Sequence, residues 1–90
     1  MKVLEIGPNI RPQAHVIWPD AEIVTIDALE ELKPDIVHDV RTMPEDLFGQ
    51  FDGLLASHVL EHFHWHKTVY ILAEWAKVLK EGGELHIVVP

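Results

Sequence analysis

Apolar residues in this chain fall in short blocks separated by turn residues. Lys2–Ile6, Glu22–Asp27, Asp35–Val40, Phe51–Ser57 and Glu84–Val89 are rich in Val, Ile and Leu and flanked by Gly, Pro, Asp or Asn, which predicts five strands. Several blocks are almost continuously apolar rather than alternating, as strands covered on both faces of a parallel sheet must be. Over Lys67–Lys80 the period changes: Val69, Leu72, Ala73, Ala76 and Leu79 recur at helical spacing and predict one core-facing stripe. Lys77 and Lys80 suit the negative end of that helix's dipole, and Gly82-Gly83 can take the left-handed conformation that ends a helix. Shorter helices are expected at Pro12–Trp18, Ala28–Leu32 and Pro44–Phe48, with a turn around Val59–Phe63. Strands alternating with helical connections imply right-handed crossovers, so the expectation is an α/β, Rossmann-like three-layer sandwich with a mainly parallel sheet of about five strands.

Length and composition narrow this picture. Ninety residues suit one domain with one small core, and an apolar fraction of 48% argues against disorder. No run approaches the roughly 18 apolar residues of a membrane span, and the N-terminal apolar segment is broken by Glu5 and Gly7-Pro8, unlike a signal peptide. A cytoplasmic location and no membrane partner are expected. The absence of cysteine excludes disulfides, thiolate nucleophiles and Cys-type zinc sites. With 7 Lys and Arg against 15 Asp and Glu, the net charge of -8 makes nucleic acid a poor partner, because such a surface repels phosphate. The same acidity suits a cationic ligand.

Three blocks carry candidate chemistry. Val3-Leu4-Glu5-Ile6-Gly7-Pro8-Asn9 is a strand holding a carboxylate and leading to a turn at its carboxyl end, where open α/β sheets bind ligands. Ile23-Val24-Thr25-Ile26-Asp27 ends in an acid about 20 residues beyond that turn, the spacing at which a carboxylate meets ribose hydroxyls. Asp35-Ile36-Val37-His38-Asp39-Val40 puts a third acid at a third strand end. Singly, each acid is as well explained as a turn former or helix cap; the ordered set points to a common crevice holding Glu5, Asp27 and Asp39.

These segments, with Phe51-Asp52, Ala56-Ser57-His58-Val59-Leu60-Glu61-His62 and Val78-Leu79-Lys80-Glu81-Gly82-Gly83-Glu84-Leu85, resemble in order the motifs of class I S-adenosylmethionine-dependent methyltransferases of the small-molecule type. The resemblance spans essentially the whole chain. It implies S-adenosylmethionine as cofactor and a small molecule as methyl acceptor. It further implies Glu5 and the backbone at Gly7 near the methionine moiety, Asp27 on the ribose, Asp39 with the Val40 backbone at adenine, and Ser57 and His58 along the reactive side. Asn9 can supply a left-handed turn in the first loop, and His58 is the candidate general base.

The pattern departs from the family in two ways. The first loop reads Gly7-Pro8-Asn9-Ile10-Arg11-Pro12 where several glycines are usual, so it is stiffer and offers fewer N–H donors. The chain also stops just after the fifth strand, leaving an apolar edge to be paired in a homodimer or covered by further sequence of a longer protein. His58, His62, His64 and His66 are crowded, and the first two are spaced for one helical face, but no further ligand follows at a recognisable spacing, so no metal is assigned. Trp75 reads as core; Trp18 and Trp65 are alternatives for a ligand-facing ring. Two other function classes remain open: a catalytically inactive methyltransferase-like domain serving nucleoside binding or assembly, and a nicotinamide dinucleotide binder, which the missing pyrophosphate-cradling glycines disfavour.

Overall fold

The computed structural model describes residues 1–8, 13–60 and 63–89. Five strands, β1 (Lys2–Ile6), β2 (Glu22–Asp27), β3 (Ile36–Val37), β4 (Phe51–Ser57) and β5 (Leu79–Val88), form one sheet in the order β3-β2-β1-β4-β5. Every pairing is parallel. Helix α1 (Ala14–Ile17) and helix α2 (Thr68–Ala76) lie on opposite faces, giving the α/β three-layer arrangement.

The period-2 side-chain alternation of β1 and β4 sorts the core into two clusters. Leu4, Ile6, Leu54 and Ala56 face α2, together with Ile26, Phe51, Ile71, Trp75 and Val78. Val3 and Leu55 face the other way, against Ala14 and Trp18. Trp18 lies flat against β4 at Gly53: a Cβ on that glycine would come within 2.7 Å of the indole. Because β1 and β4 are buried on both faces, apolar residues stand side by side in them, as at Val3-Leu4 and Leu54-Leu55-Ala56, instead of alternating with polar ones.

Several boundaries differ from the sequence expectation. Helix α2 ends at Ala76 rather than Lys80, because the chain beyond it is drawn into the sheet: Gly49 N donates to Lys77 O (2.9 Å), Phe51 N donates to Val78 O (2.9 Å), and Leu79 pairs with Phe51. The buried face of α2 is Ile71 and Trp75, not the predicted stripe; Val69, Ala73 and Ala76 are exposed. A large aromatic at position 75 claims the core and rotates the smaller residues outward. Gly82, with φ 80°, serves the irregularity where β5 rejoins β4 instead of capping the helix.

The predicted third strand is cut to two residues. Asp35 is held beside β2 by Thr25, whose N and Oγ1 donate to Asp35 Oδ2 (3.0 and 3.3 Å) while Asp35 N donates to Thr25 Oγ1 (2.9 Å). After Val37 only His38 N reaches β2, at Asp27 O (2.9 Å), and the chain then turns at Asp39. The short helices expected near residues 28–32 and 44–48 are single 3-10 turns at Glu30–Leu32 and Glu45–Leu47. The predicted turn near 59–63 lies partly outside the described residues. Among the described residues no helix is long and apolar enough to cross a membrane.

Candidate functional site

A cleft of about 1130 Å³ opens beyond the carboxyl ends of the strands, where β1 is flanked by β2 on one side and β4 on the other. That is the point at which strand order reverses, the ligand position general to open α/β sheets. Glu5 and Gly7 of β1 and its turn, Asp27 after β2, Val40, and Ser57 and His58 after β4 all line it. Among the predicted site residues, Asn9 lies outside the described residues.

Each of these residues is placed by a local cause. Gly7 has φ 61° and donates its N–H to Ile26 O (2.9 Å), which lets the chain leave β1 sharply. A Cβ there would stand 2.7 Å from Val59 Cγ2, so the absent side chain makes room for the turn after β4. Asp27 ends β2 and accepts Leu29 N–H on Oδ1 (3.0 Å), an Asx-type turn that stations the carboxylate at the cleft wall. Its Oδ2 accepts no hydrogen bond among the described residues. His58 has a left-handed backbone, φ 58°, and donates its N–H to Val88 O (2.7 Å), which orients the end of β4 toward β5.

Glu5 serves the site differently from what its position in the sequence suggests. The side chain is 1% exposed, and both oxygens are taken by backbone donors: Oε1 accepts from Gln13 N (2.9 Å) and Ala14 N (2.8 Å), and Oε2 from Gln13 N (2.9 Å). It therefore ties the start of α1 to β1 at the floor of the cleft.

Asp39 does not join Glu5 and Asp27. Because β3 ends two residues earlier, its carboxylate turns to Arg41, accepting from the Arg41 backbone N (2.9 Å) and from Nε and Nη2. The guanidinium bonding lowers its pKa from the ordinary 3.8 to about 2. Asp39 lines a second, smaller cavity of about 610 Å³ with Arg41, Phe63 and Lys67. The expected common crevice of three acids is thus a crevice of two, with the Val40 side of the 39–40 pair facing it.

Sequence reasoning missed several lining residues. Leu29 and Leu32 follow Asp27 and wall the β2 end; Val16 and Ile17 of α1, and Val88 of β5, wall the opposite end. Val88 was findable by the rule that applied to Asp27, since it too sits at a strand's carboxyl end; Val16 and Ile17 were not, because an apolar residue on a short helix reads as core. His64 and His66 stack on each other with ring centroids 3.8 Å apart, His62 lies outside the described residues, and among the described residues no group of three His, Asp or Glu is placed to hold a metal. Trp75 is fully buried and Trp65 is 78% exposed away from the cleft.

Residues 10–87 match the family model of the methyltransferase domain. No curated protein gives a significant match. The fold is similar to that of a proposed S-adenosyl-L-methionine-dependent methyltransferase from Methanococcus maripaludis, with a TM-score of 0.78 at 14% identity over 96% of this chain and 46% of that one. It is also similar to a SAM-dependent methyltransferase from Archaeoglobus fulgidus, with a TM-score of 0.65 at 22% identity over 88% of this chain and 40% of that one. The chain thus spans less than half the length of either structure. At these identities the likeness is one of fold, and it agrees with the family match, which covers most of the sequence: the chain belongs to the methyltransferase domain family.

Proposed function

We propose that the chain forms the S-adenosylmethionine-binding part of a methyltransferase acting on a small-molecule acceptor. The observation that carries this reading is Asp27: a carboxylate at the carboxyl end of β2 that lines the cleft, fixed through Oδ1 and with Oδ2 accepting no bond among the described residues. Such a group accepts hydrogen bonds from vicinal ribose hydroxyls. The lining fits the rest of the cofactor as well. Its ionisable groups among the described residues are Glu5, Asp27 and His58, so the cleft suits a ligand carrying sulfonium and ammonium charges rather than phosphates. The sequence after Gly7, Pro8-Asn9-Ile10-Arg11-Pro12, has no further glycine for a pyrophosphate cradle, which counts against a dinucleotide.

When bound, S-adenosylmethionine supplies a methyl group already activated on sulfur. Asp27 would hold the ribose, Leu29, Leu32 and Val40 would enclose the nucleobase end, and Ser57, His58 and Val88 would border the reacting end. Glu5 shapes the floor by fixing α1. The chain's contribution is positioning and exclusion of water, with His58 able to take a proton from an acceptor. The acidic net charge disfavours nucleic acid as that acceptor.

Calorimetric titration of the full chain with S-adenosylhomocysteine, S-adenosylmethionine and NAD tests this. Micromolar binding of the homocysteine form is expected, with no comparable binding of NAD. Asp27→Asn keeps an oxygen for Leu29 N–H but gives up the charge, and should weaken binding by at least about tenfold, since hydrogen bonds to a charged group contribute roughly 1.5–3 kcal/mol. Unchanged affinity in Asp27→Asn, or preference for NAD, would refute the assignment.

A further inference from the structure

The nucleobase wall at Val40 rests on a segment that the sheet scarcely holds. After Val37, the last residue of β3, the only bond back to β2 is the one from His38, and the turn at Asp39 is closed by a long Thr42 N–Asp39 O contact of 3.4 Å. The Asp39–Arg41 pair is internal to the segment and exposed, so it shapes the turn without fixing its place on the fold. What does fix it comes from α2. The Trp75 indole N–H donates to Val40 O at 2.7 Å, and Glu74 Oε1 accepts Met43 N–H at 2.9 Å. Both anchoring side chains are firmly seated: Trp75 is fully buried, and Glu74 is braced on its other oxygen by Lys77 Nζ at 2.7 Å. Met43, at the far end of the bracketed stretch, is itself buried in the α2-side cluster.

We infer that Trp75 and Glu74 are positioning residues for cofactor recognition: from the α2 side of the sheet, against whose cluster Val40 and Met43 also pack, they hold residues 40–43 so that Val40 forms the nucleobase wall of the cleft. This rests on the cofactor site proposed above. The two anchors bracket the short stretch from both ends, so losing either frees one end of the wall while leaving Asp27 and the β1 turn as they are. The effect therefore falls on the base and not on the ribose or amino-acid portions of the ligand.

The test compares S-adenosylhomocysteine with S-ribosylhomocysteine, which lacks the base, in calorimetry on the full chain. Trp75→Phe keeps a large ring in the core but removes the N–H; Glu74→Ala removes the other anchor, and Glu74→Gln retains an acceptor oxygen. Trp75→Phe and Glu74→Ala should each weaken the adenosyl ligand by about tenfold and leave the ribosyl ligand within about twofold, with Glu74→Gln close to wild type. Equal losses for both ligands, or no loss for the adenosyl ligand, would overturn the inference while the site reading stands. A wild-type chain that binds neither ligand would overturn the site reading and this inference with it. Hydrogen exchange at the Met43 amide, expected to quicken in Glu74→Ala relative to Glu74→Gln, reads the anchor directly; an unaltered rate would count against it.

Discussion

At the scale of single residues, the three acids at the strand ends differ in what occupies their oxygens. Glu5 is spent on backbone donors, Asp39 on Arg41, and Asp27 keeps an oxygen in reserve. The Asp39 case yields a pH prediction. Its pKa is depressed to about 2, so the pair's contribution is present above the unfolded value of 3.8 and disappears as pH falls through about 2. Both partners are about half-exposed or more, so solvent screens the pair and its contribution to stability is small. An NMR titration of the Asp39 carboxyl carbon should show its midpoint near 2 in wild type and move up toward the ordinary value in Arg41→Gln. A midpoint indifferent to that substitution would mean that the guanidinium is not the cause.

At the scale of elements, the strands were legible and the helix faces were not. β1, β2 and β4 lie where the apolar blocks predicted them, because their Val-, Ile- and Leu-rich runs are bounded by turn residues that mark their limits, and β1 and β4 are buried on both faces. β3 was over-read since His38, Asp39 and Val40 continue an apolar-looking run whose departure from the sheet depends on contacts made 31 and 35 residues away, at Glu74 and Trp75. The stripe on α2 failed because spacing placed Val69, Ala73 and Ala76 on the buried face, whereas Trp75, which its size marks as core, sets the rotation of the helix with Ile71. Of the cleft lining, Asp27, Gly7 and the end of β4 could be read from motif and position; Asp39 could not be placed without knowing where β3 stops. Glu5 could be located but its duty could not, since both oxygens are claimed by the start of α1. A four-residue helix has no stability of its own, so this bonding decides whether α1 forms. Glu5→Gln offers one acceptor oxygen and turns an amide toward N–H donors; it should cost about 1–3 kcal/mol in urea denaturation. A loss under about 0.5 kcal/mol would show that α1 is held by packing on Ala14 and Trp18 instead.

At the scale of the whole molecule, β1 and β4 are shared by two apolar clusters that otherwise do not mix. Leu54 and Leu55 are neighbours in sequence, both fully buried, and face opposite layers. Because the same backbone carries both, the layers should unfold together. Leu54→Ala and Leu55→Ala should each lower stability by about 2–5 kcal/mol, and in both variants the transition followed by tryptophan fluorescence should coincide with that followed by far-UV circular dichroism. Transitions that part company in Leu55→Ala would reveal the α1 layer as a separately melting unit.

The bond from His58 N to Val88 O links the mouth of the cleft to the outermost strand. The main chain at 58 is left-handed, φ 58°, so the backbone from which the imidazole departs is set in part by that bond to β5. Anything that came to lie along β5 at the rim of the sheet would thus bear on the backbone at the cleft mouth without entering the cleft.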